Sequence, residues 1–79
     1  MAVDAYIFIE CEHGKALEVV SRVKDIGGVK DVKAVTGPYD VIALVSASNV
    51  DVLGGVVIGK IQRVGGVKRT LTNIVVESE

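Results

Sequence analysis

The sequence contains few of the residues that form covalent or metal-based cross-links. Its one cysteine, Cys11, cannot form a disulfide within the chain, and its one histidine, His13, cannot complete a structural zinc site alone. A chain of 79 residues buries only about 60% of the surface that its unfolded form exposes. Domains of this size commonly gain stability from disulfides, metals or oligomerisation. Because the first two are excluded within one chain, oligomerisation is expected.

Long hydrophobic runs and an excess of one charge are also absent. No apolar stretch reaches the ~20 residues that a membrane-spanning helix needs. The first residues, Met1 to Asp4, have neither the basic segment nor the cleavage pattern of a signal peptide. The net charge of −1 gives no indication of binding to nucleic acid or anionic lipid. A single free thiol is typical of the cytoplasm, so we expect a cytoplasmic protein of one domain, residues 1–79, with no membrane partner.

The apolar residues that are present alternate between strand and helix spacing. The predicted order is strand, helix, strand, twice over. Strands are predicted at 3–9, 29–36, 41–46 and 67–77, and helices at 15–26 and from a cap at Ser48 or Asn49 to about Val64.

The two halves of the chain also resemble each other. The strand that begins at Asp4 matches the strand that begins at Asp40, and Ile-Gly-Gly-Val-Lys at 26–30 matches Val-Gly-Gly-Val-Lys at 64–68. Two strand-helix-strand units in so short a chain predict an α+β fold, the ferredoxin-like βαββαβ sandwich. In that topology the first and third strands are central, which suits their apolar composition.

Two helices can cover only one face of a four-stranded sheet. Tyr6 and Phe8 alternate with the apolar residues of the first strand, and Ile42 and Leu44 alternate with those of the third. Both faces therefore need a cover, and that of the second face can come only from another copy of the chain or another protein. A second copy would make a dimeric α+β barrel. The glycines of the second helix, at 54, 55 and 59, allow either a further subunit contact or a poorly formed, bent helix.

No motif for catalysis or cofactor binding is complete. Residues 54–61 nearly match a phosphate-binding loop, but Ile61 stands where a hydroxyl is needed. The Glu10–His13 segment offers metal-type ligands without a second cluster in the same chain, which favours a solvated polar loop. Nothing orients His13 as a base for Cys11. We therefore predict no enzyme activity, no catalytic residue, no metal and no cofactor.

The turn at Thr36–Asp40 is better suited to binding a small molecule. Its glycine and backbone N–H groups can receive a carboxylate, and Asp40 can accept a hydrogen bond from an ammonium group. Thr70 and Thr72 add two hydroxyls on one face of the last strand. These groups suit a free amino acid, and the alternative is ordinary turn chemistry beside an edge strand with exposed threonines.

The Gly37-Pro38-Tyr39-Asp40 turn with its following apolar strand, and the later Gly66-Val67…Thr70-Leu71-Thr72 strand, resemble the effector domain of the Lrp/AsnC family of amino-acid-responsive regulators. This module is the RAM (regulation of amino acid metabolism) domain. The resemblance covers Val3 to Val76. It implies a ferredoxin-like domain that dimerises sheet against sheet, dimers that join into rings, and an amino-acid effector bound between dimers. Carried over, the ligand-binding residues are Gly37, Tyr39, Asp40, Thr70 and Thr72.

Regulators of that family also carry an N-terminal helix-turn-helix domain, whereas this sequence begins directly at its first strand. The expectation is a stand-alone form that does not bind DNA itself. It would sense an amino acid, or join full-length Lrp/AsnC regulators and change their activity. Two alternatives remain open, namely a structural assembly module without a ligand and a small enzyme of the dimeric ferredoxin-like barrel type.

Overall fold

A computed structural model describes residues 2–76. The strands are β1 (Val3–Cys11), β2 (Val29–Ala34), β3 (Val41–Ala47) and β4 (Val67–Ile74), and the first helix is α1 (Ala16–Val23). The second helix is continuous and consists of α2 (Val50–Val52), a π-helical segment (Leu53–Ile58) and α3 (Gly59–Gln62).

The strands form one antiparallel sheet in the order β2-β3-β1-β4. The predicted ferredoxin-like βαββαβ fold is therefore confirmed, with β1 and β3 central and the more highly charged strands at the edges. Strand β1 is longer than predicted, because Glu10 and Cys11 pair with Arg69 and Val67 of β4 instead of belonging to a loop. The predicted end of the last strand, at residue 77, lies outside the described residues.

Helix α1 is shorter than the predicted helix at 15–26. The chain tightens after Val23, where the N–H groups of Asp25 and Ile26 donate to the carbonyls of Arg22 and Val23, three residues earlier. Such bonds replace the α-helical pattern at a helix end.

The core lies between the two helices and one face of the sheet. Alternate residues of the central strands are fully buried on this face, and helix residues pack against them. The strand members are Ala5, Ile7, Ile9, Val41, Ala43 and Val45, and the helix members are Val19, Val23, Leu53, Val57, Ile58 and Ile61. This pattern is the one that the alternation in the sequence predicted.

The repeated Gly-Gly-Val-Lys segments occupy equivalent places in the two halves. Gly28 and Gly66 both have positive φ, at 96° and 101°. A Cβ on Gly28 would lie 2.9 Å from the side chain of Val57, and a Cβ on Gly66 would lie 3.0 Å from that of Val19. Each half thus places a glycine against the helix of the other half, which explains why both copies of the motif keep the glycine at this position.

The second helix departs from the regular helix that the sequence predicts. Asn49 caps it, since its Oδ1 accepts a hydrogen bond of 2.8 Å from the N–H of Val52. The next six residues form a π-helix, and its adjacent residues Val57 and Ile58 are both buried in the core. Residues 54–61 lie wholly within this helix, so they do not form the strand-to-helix loop of a phosphate-binding site.

No helix in the described part of the chain is long and apolar enough to cross a bilayer.

The second face of the sheet, here called the open face, has no helix over it. Its centre consists of apolar side chains that are exposed or half-buried, and its margins carry charged residues. The apolar members are Tyr6, Phe8, Ile42, Leu44 and Leu71.

Candidate ligand-binding site

The turn that joins β2 to β3 is held at both ends by backbone hydrogen bonds. The N–H of Val35 donates to the carbonyl of Asp40 at 2.9 Å, and the N–H of Asp40 donates to the carbonyl of Ile9 at 3.0 Å. Gly37 has φ 133°, a conformation that disfavours residues with a side chain, although a Cβ there would meet nothing within 4 Å. The glycine is therefore needed for the path of the backbone and not for space.

Tyr39 and Asp40 leave this turn with different contacts. The ring of Tyr39 packs on that of Phe8, with centroids 5.5 Å apart and planes tilted by 49°. The Oδ2 atom of Asp40 accepts a hydrogen bond of 2.8 Å from the N–H of Cys11. A carboxylate can accept several hydrogen bonds, so this contact fixes the side chain and leaves it capacity to bind a ligand.

Thr70 and Thr72 share one face of β4, as the sequence predicts, but this is the face that the helices cover. They lie opposite the buried residues Ile9 and Ile7 of β1. The hydroxyl of Thr70 accepts a hydrogen bond of 3.1 Å from the side-chain amide of Gln62 on α3. Because β1 lies between β3 and β4, the two strands are about 10 Å apart. One chain therefore does not bring these hydroxyls together with the turn.

A cleft of about 620 Å³ lies beside Asp40, at the end of β1. This end cleft is formed by four separate parts of the chain: the end of β1 with the loop after it, the start of α1, the turn before β3, and the start of β4. Its lining residues are Glu10, Cys11, Glu12, His13, Gly14, Ala16, Leu17, Pro38, Asp40 and Lys68. Its size lies within the usual range of small-molecule sites, roughly 300–1,000 Å³.

A β-bulge directs Lys68 toward this cleft. Glu10 and Cys11 are adjacent on β1, yet they pair with Arg69 and Val67, so Lys68 is the additional residue of β4. Bulges commonly redirect a side chain in this way. The Nζ of Lys68 lies 3.9 Å from Oε2 of Glu10.

Charges of both signs surround the end cleft. Oε1 of Glu10 accepts from Nε of Arg69 at 2.9 Å and from Nη2 of Arg69 at 2.6 Å. Glu12 is exposed, but its backbone is fixed because its N–H donates to the carbonyl of Gly66 at 2.8 Å. Partial burial, and secondly the charge of Asp40, raise the pKa of the Cys11 thiol. The thiol is therefore a protonated, weakly reactive group at neutral pH.

Metal binding finds no support in this arrangement. Within residues 2–76, no three His, Cys, Asp or Glu side chains are grouped so that they could hold an ion. The Glu10–His13 segment is better described as one wall of the end cleft.

Sequence reasoning identified Asp40 but missed the cleft that it borders. Leu17, Pro38 and Lys68 have no shared sequence motif, and only the pairing of β1 with β4 brings Lys68 to the end of β1. The repeated Gly-Gly-Val-Lys segment was the one available signal, because it marks the position of the bulge.

The curated relatives include regulators and one enzyme. An uncharacterised HTH-type transcriptional regulator of Pyrococcus horikoshii is 34% identical over 73 residues, which cover 89% of this chain and 49% of the regulator. A homocitrate synthase of Sulfurisphaera tokodaii is 34% identical over 76 residues, 95% of this chain but only 16% of the enzyme. The chain thus spans about half the length of the regulators it matches.

Solved structures share the fold over nearly the whole chain. TTHA0845 of Thermus thermophilus has a TM-score of 0.89 at 30% identity and covers 98% of this chain and 96% of its own. AsnC of E. coli has a TM-score of 0.88 at 25% identity, over 96% of this chain and 52% of AsnC. The transcriptional regulator NMB0573 of Neisseria meningitidis, solved as a complex with L-Met, shares the fold with a TM-score of 0.82 at 18% identity, over 95% of this chain and 50% of its own. The family described as Lrp/AsnC ligand binding domain matches residues 4–79.

Proposed function

Because the chain belongs to the Lrp/AsnC ligand-binding domain family, we propose that it is an amino-acid-sensing oligomerisation module that acts through regulators of transcription. The observation that carries the proposal is the position of Asp40. Its carboxylate is fixed by the N–H of Cys11 and borders a cleft of about 620 Å³. A fixed carboxylate beside a cleft of this size suits the ammonium group of a free amino acid.

The open face supports the oligomeric part of the proposal. Tyr6 and Leu71 remain 45% and 46% exposed, and they belong to a continuous apolar surface across three strands. Contiguous apolar surface of this kind is typical of protein interfaces. A second copy that packs its own open face on this one would close a dimeric α+β barrel, and dimers would then join into a ring.

The five ligand-binding residues predicted from the sequence fit this assembly in a specific way. Gly37, Tyr39 and Asp40 belong to the turn, of which Pro38 and Asp40 line the end cleft, while Thr70 and Thr72 lie across β1 on the helix-covered face. A ligand between dimers would contact the turn of one chain and the threonines of a neighbouring chain. The proposal therefore requires an intersubunit site, with the end cleft as the part that one chain contributes.

Partners of two kinds follow from this role. One is the small effector itself, and the other is a full-length Lrp/AsnC regulator whose matching half could pack with this chain in a mixed assembly. The HTH-type relatives, of which this chain matches about half, support the second partner. Since such regulators act on DNA, the proposal implies a cytoplasmic protein that does not contact DNA through residues 2–76.

We infer that the chain acts as a sensor and not as an enzyme. The centre of the open face, which would line the interior of a barrel enzyme, consists of aliphatic and aromatic residues such as Phe8, Ile42 and Leu44. Barrel enzymes need a polar group there. The match to a small part of homocitrate synthase agrees with a regulatory module attached to a separate catalytic part.

Thermal unfolding in the presence of each common amino acid tests this function. A ligand at 100 times its Kd stabilises a protein by about 2.7 kcal/mol, and each kcal/mol shifts the Tm of a domain this small by roughly 4–8 °C. Methionine belongs in the panel because the N. meningitidis regulator was solved with it. We expect a shift of several degrees with one or a few amino acids.

The Asp40→Asn variant tests whether the charge of this carboxylate is needed for the ligand response. Its amide oxygen can still accept from the N–H of Cys11, whereas its charge is lost, so the ligand-induced shift should fall while the oligomeric mass is unchanged. A flat panel with an intact oligomer would instead favour a structural assembly module without a ligand.

A further inference from the structure

We propose that the end cleft selects a basic amino acid, one that carries a second positive charge at the end of an aliphatic side chain, as lysine, ornithine and arginine do. This inference rests on the proposed function and specifies the ligand class of the same site. It is drawn from the charges, the apolar wall and the dimensions of the cleft.

The charges of the cleft divide into two groups. Glu10 faces two cations, because Arg69 donates to its Oε1 at 2.9 Å and Lys68 lies 3.9 Å from its Oε2. Lys68 is the one lysine or arginine among the lining residues and suits the α-carboxylate of a ligand, whereas Arg69 lies outside the lining. Glu12 and Asp40 form the second group, with two negative charges, and among the described residues neither carboxylate forms an ion pair with a lysine or arginine. The nearby Lys15 directs its Nζ to Glu18 instead, at 3.7 Å.

A ligand that matches both groups brings one negative and two positive charges. A neutral amino acid has a single ammonium group, which Asp40 would bind, so it would leave Glu12 without a charged partner. An acidic amino acid would add a second carboxylate to a cleft whose lining has three carboxylates and one lysine. The match is therefore best for a basic amino acid.

The apolar wall accounts for the aliphatic part of the ligand. Ala16, Leu17 and Pro38 also line the cleft, and Leu17 is 76% exposed in the chain. The methylene groups of a lysine or arginine side chain bury their length along such surfaces while the charged end reaches polar groups. A ligand with charges at both ends of an aliphatic chain therefore matches both the charged and the apolar lining residues of the cleft.

Lysine and norleucine provide the sharpest comparison, because norleucine has the aliphatic chain of lysine without the terminal ammonium group. We expect isothermal titration calorimetry of the full chain to give a Kd for lysine about fivefold or more below the Kd for norleucine. A fivefold ratio corresponds to the upper range of the energy of a solvent-accessible ion pair. Ornithine and arginine should bind more tightly than norleucine, and glutamate more weakly than all of these.

The Glu12→Gln variant should remove most of this preference, raising the Kd for lysine about fivefold and leaving that for norleucine unchanged. Asp31→Asn is the control, since Asp31 is an exposed carboxylate that pairs with Lys33 outside the cleft. Equal or tighter binding of norleucine or methionine would overturn the inference while the sensor function stands. The same holds if Glu12→Gln leaves the lysine Kd unchanged. Failure of every amino acid to bind would overturn the sensor function as well.

Discussion

The carboxylate of Asp40 accepts a hydrogen bond of 2.8 Å from the backbone N–H of Cys11, 29 residues earlier in the chain. Cys11 is the last residue of β1, and Asp40 immediately precedes β3. The contact therefore closes the end of the pair formed by the two central strands. The residue that the sequence assigns to ligand binding thus also has a structural role, and substitutions at this position must separate the two.

Asp40→Ala removes the acceptor and leaves a partly buried N–H without its partner. Hydrogen bonds to charged groups contribute about 1.5–3 kcal/mol, and this one is only partly buried. We expect the free energy of unfolding to fall by about 1–2 kcal/mol, as measured by urea denaturation at pH 7. Asp40→Asn keeps an acceptor oxygen and should lose less than half as much. Equal losses in the two variants would mean that the charge, and not the hydrogen bond, is what stabilises this end of the sheet.

The sequence predicts the fold well because the alternation of side chains decides which residues face the helices. Ile7 and Ala43 are buried and Tyr6 is exposed, as the period of two requires. The π-helical segment was not predictable in this way. A shift of the hydrogen bonds from four residues to five leaves no periodic signal, and the glycines at 54 and 55 indicate only that the helix is weak.

The candidate site was predictable only in part. Asp40 belongs to a turn motif that lies within five consecutive residues, so the sequence alone identifies it. The face on which Thr70 and Thr72 lie depends on the register of β4 against β1, which no local pattern states. Lys68 reaches the cleft through a bulge in the same pairing, and for the same reason it was missed.

Gly66→Ala is expected to destabilise the fold through two effects. Its φ of 101° costs a residue with a side chain about 1–2 kcal/mol. The added Cβ would also lie 3.0 Å from Cγ2 of Val19 and 3.1 Å from Cβ of Lys15, closer than ordinary contact. The total loss in the free energy of unfolding should exceed about 2 kcal/mol, and thermal or urea denaturation will measure it.

Two control variants separate these effects. Gly14→Ala has a positive φ of 78° with nothing within 4 Å of the added Cβ, so it should lose only the conformational part. Gly27→Ala has neither a positive φ nor a close neighbour and should change stability by no more than about 1 kcal/mol, in the stabilising direction. If Gly66→Ala costs no more than Gly14→Ala, the packing of Gly66 against Val19 contributes nothing.

The Cys11 thiol should ionise at higher pH in the folded chain than in the unfolded chain. Burial, followed by the charge of Asp40, raises its pKa above the ordinary 9.0. The rate of alkylation by iodoacetamide, followed against pH, should therefore reach its midpoint above that of the urea-unfolded protein. Asp40→Asn should lower the midpoint only partly, because burial is the larger cause. A midpoint in the folded protein at or below that of the urea-unfolded protein would contradict this assignment.

The same shift makes a prediction for stability. The folded state keeps the thiol proton at a pH where the unfolded chain releases it, so unfolding becomes easier as the pH rises from about 9 through the folded pKa. Below about pH 9 the contribution is complete and constant. Cys11→Ser has no group at this position that ionises in this range. Above about pH 9, the free energy of unfolding of the wild type should therefore fall relative to that of the variant.

Leu71→Glu tests whether the open face is a subunit interface. Leu71 lies opposite Phe8 on this face and is 46% exposed in one chain, so a glutamate can be solvated there without disturbing the core. In a dimer packed face against face, the same carboxylate would be buried against apolar side chains, which is costly without a partner. We expect the variant to fold with a mass near 8.3 kDa by light scattering, whereas the wild type gives a multiple of it.

Val50→Glu is the control, because Val50 is 57% exposed on the second helix, away from the open face. It should keep the wild-type mass. An unchanged mass for Leu71→Glu would place the interface elsewhere, and a change in Val50→Glu alone would place it on the second helix.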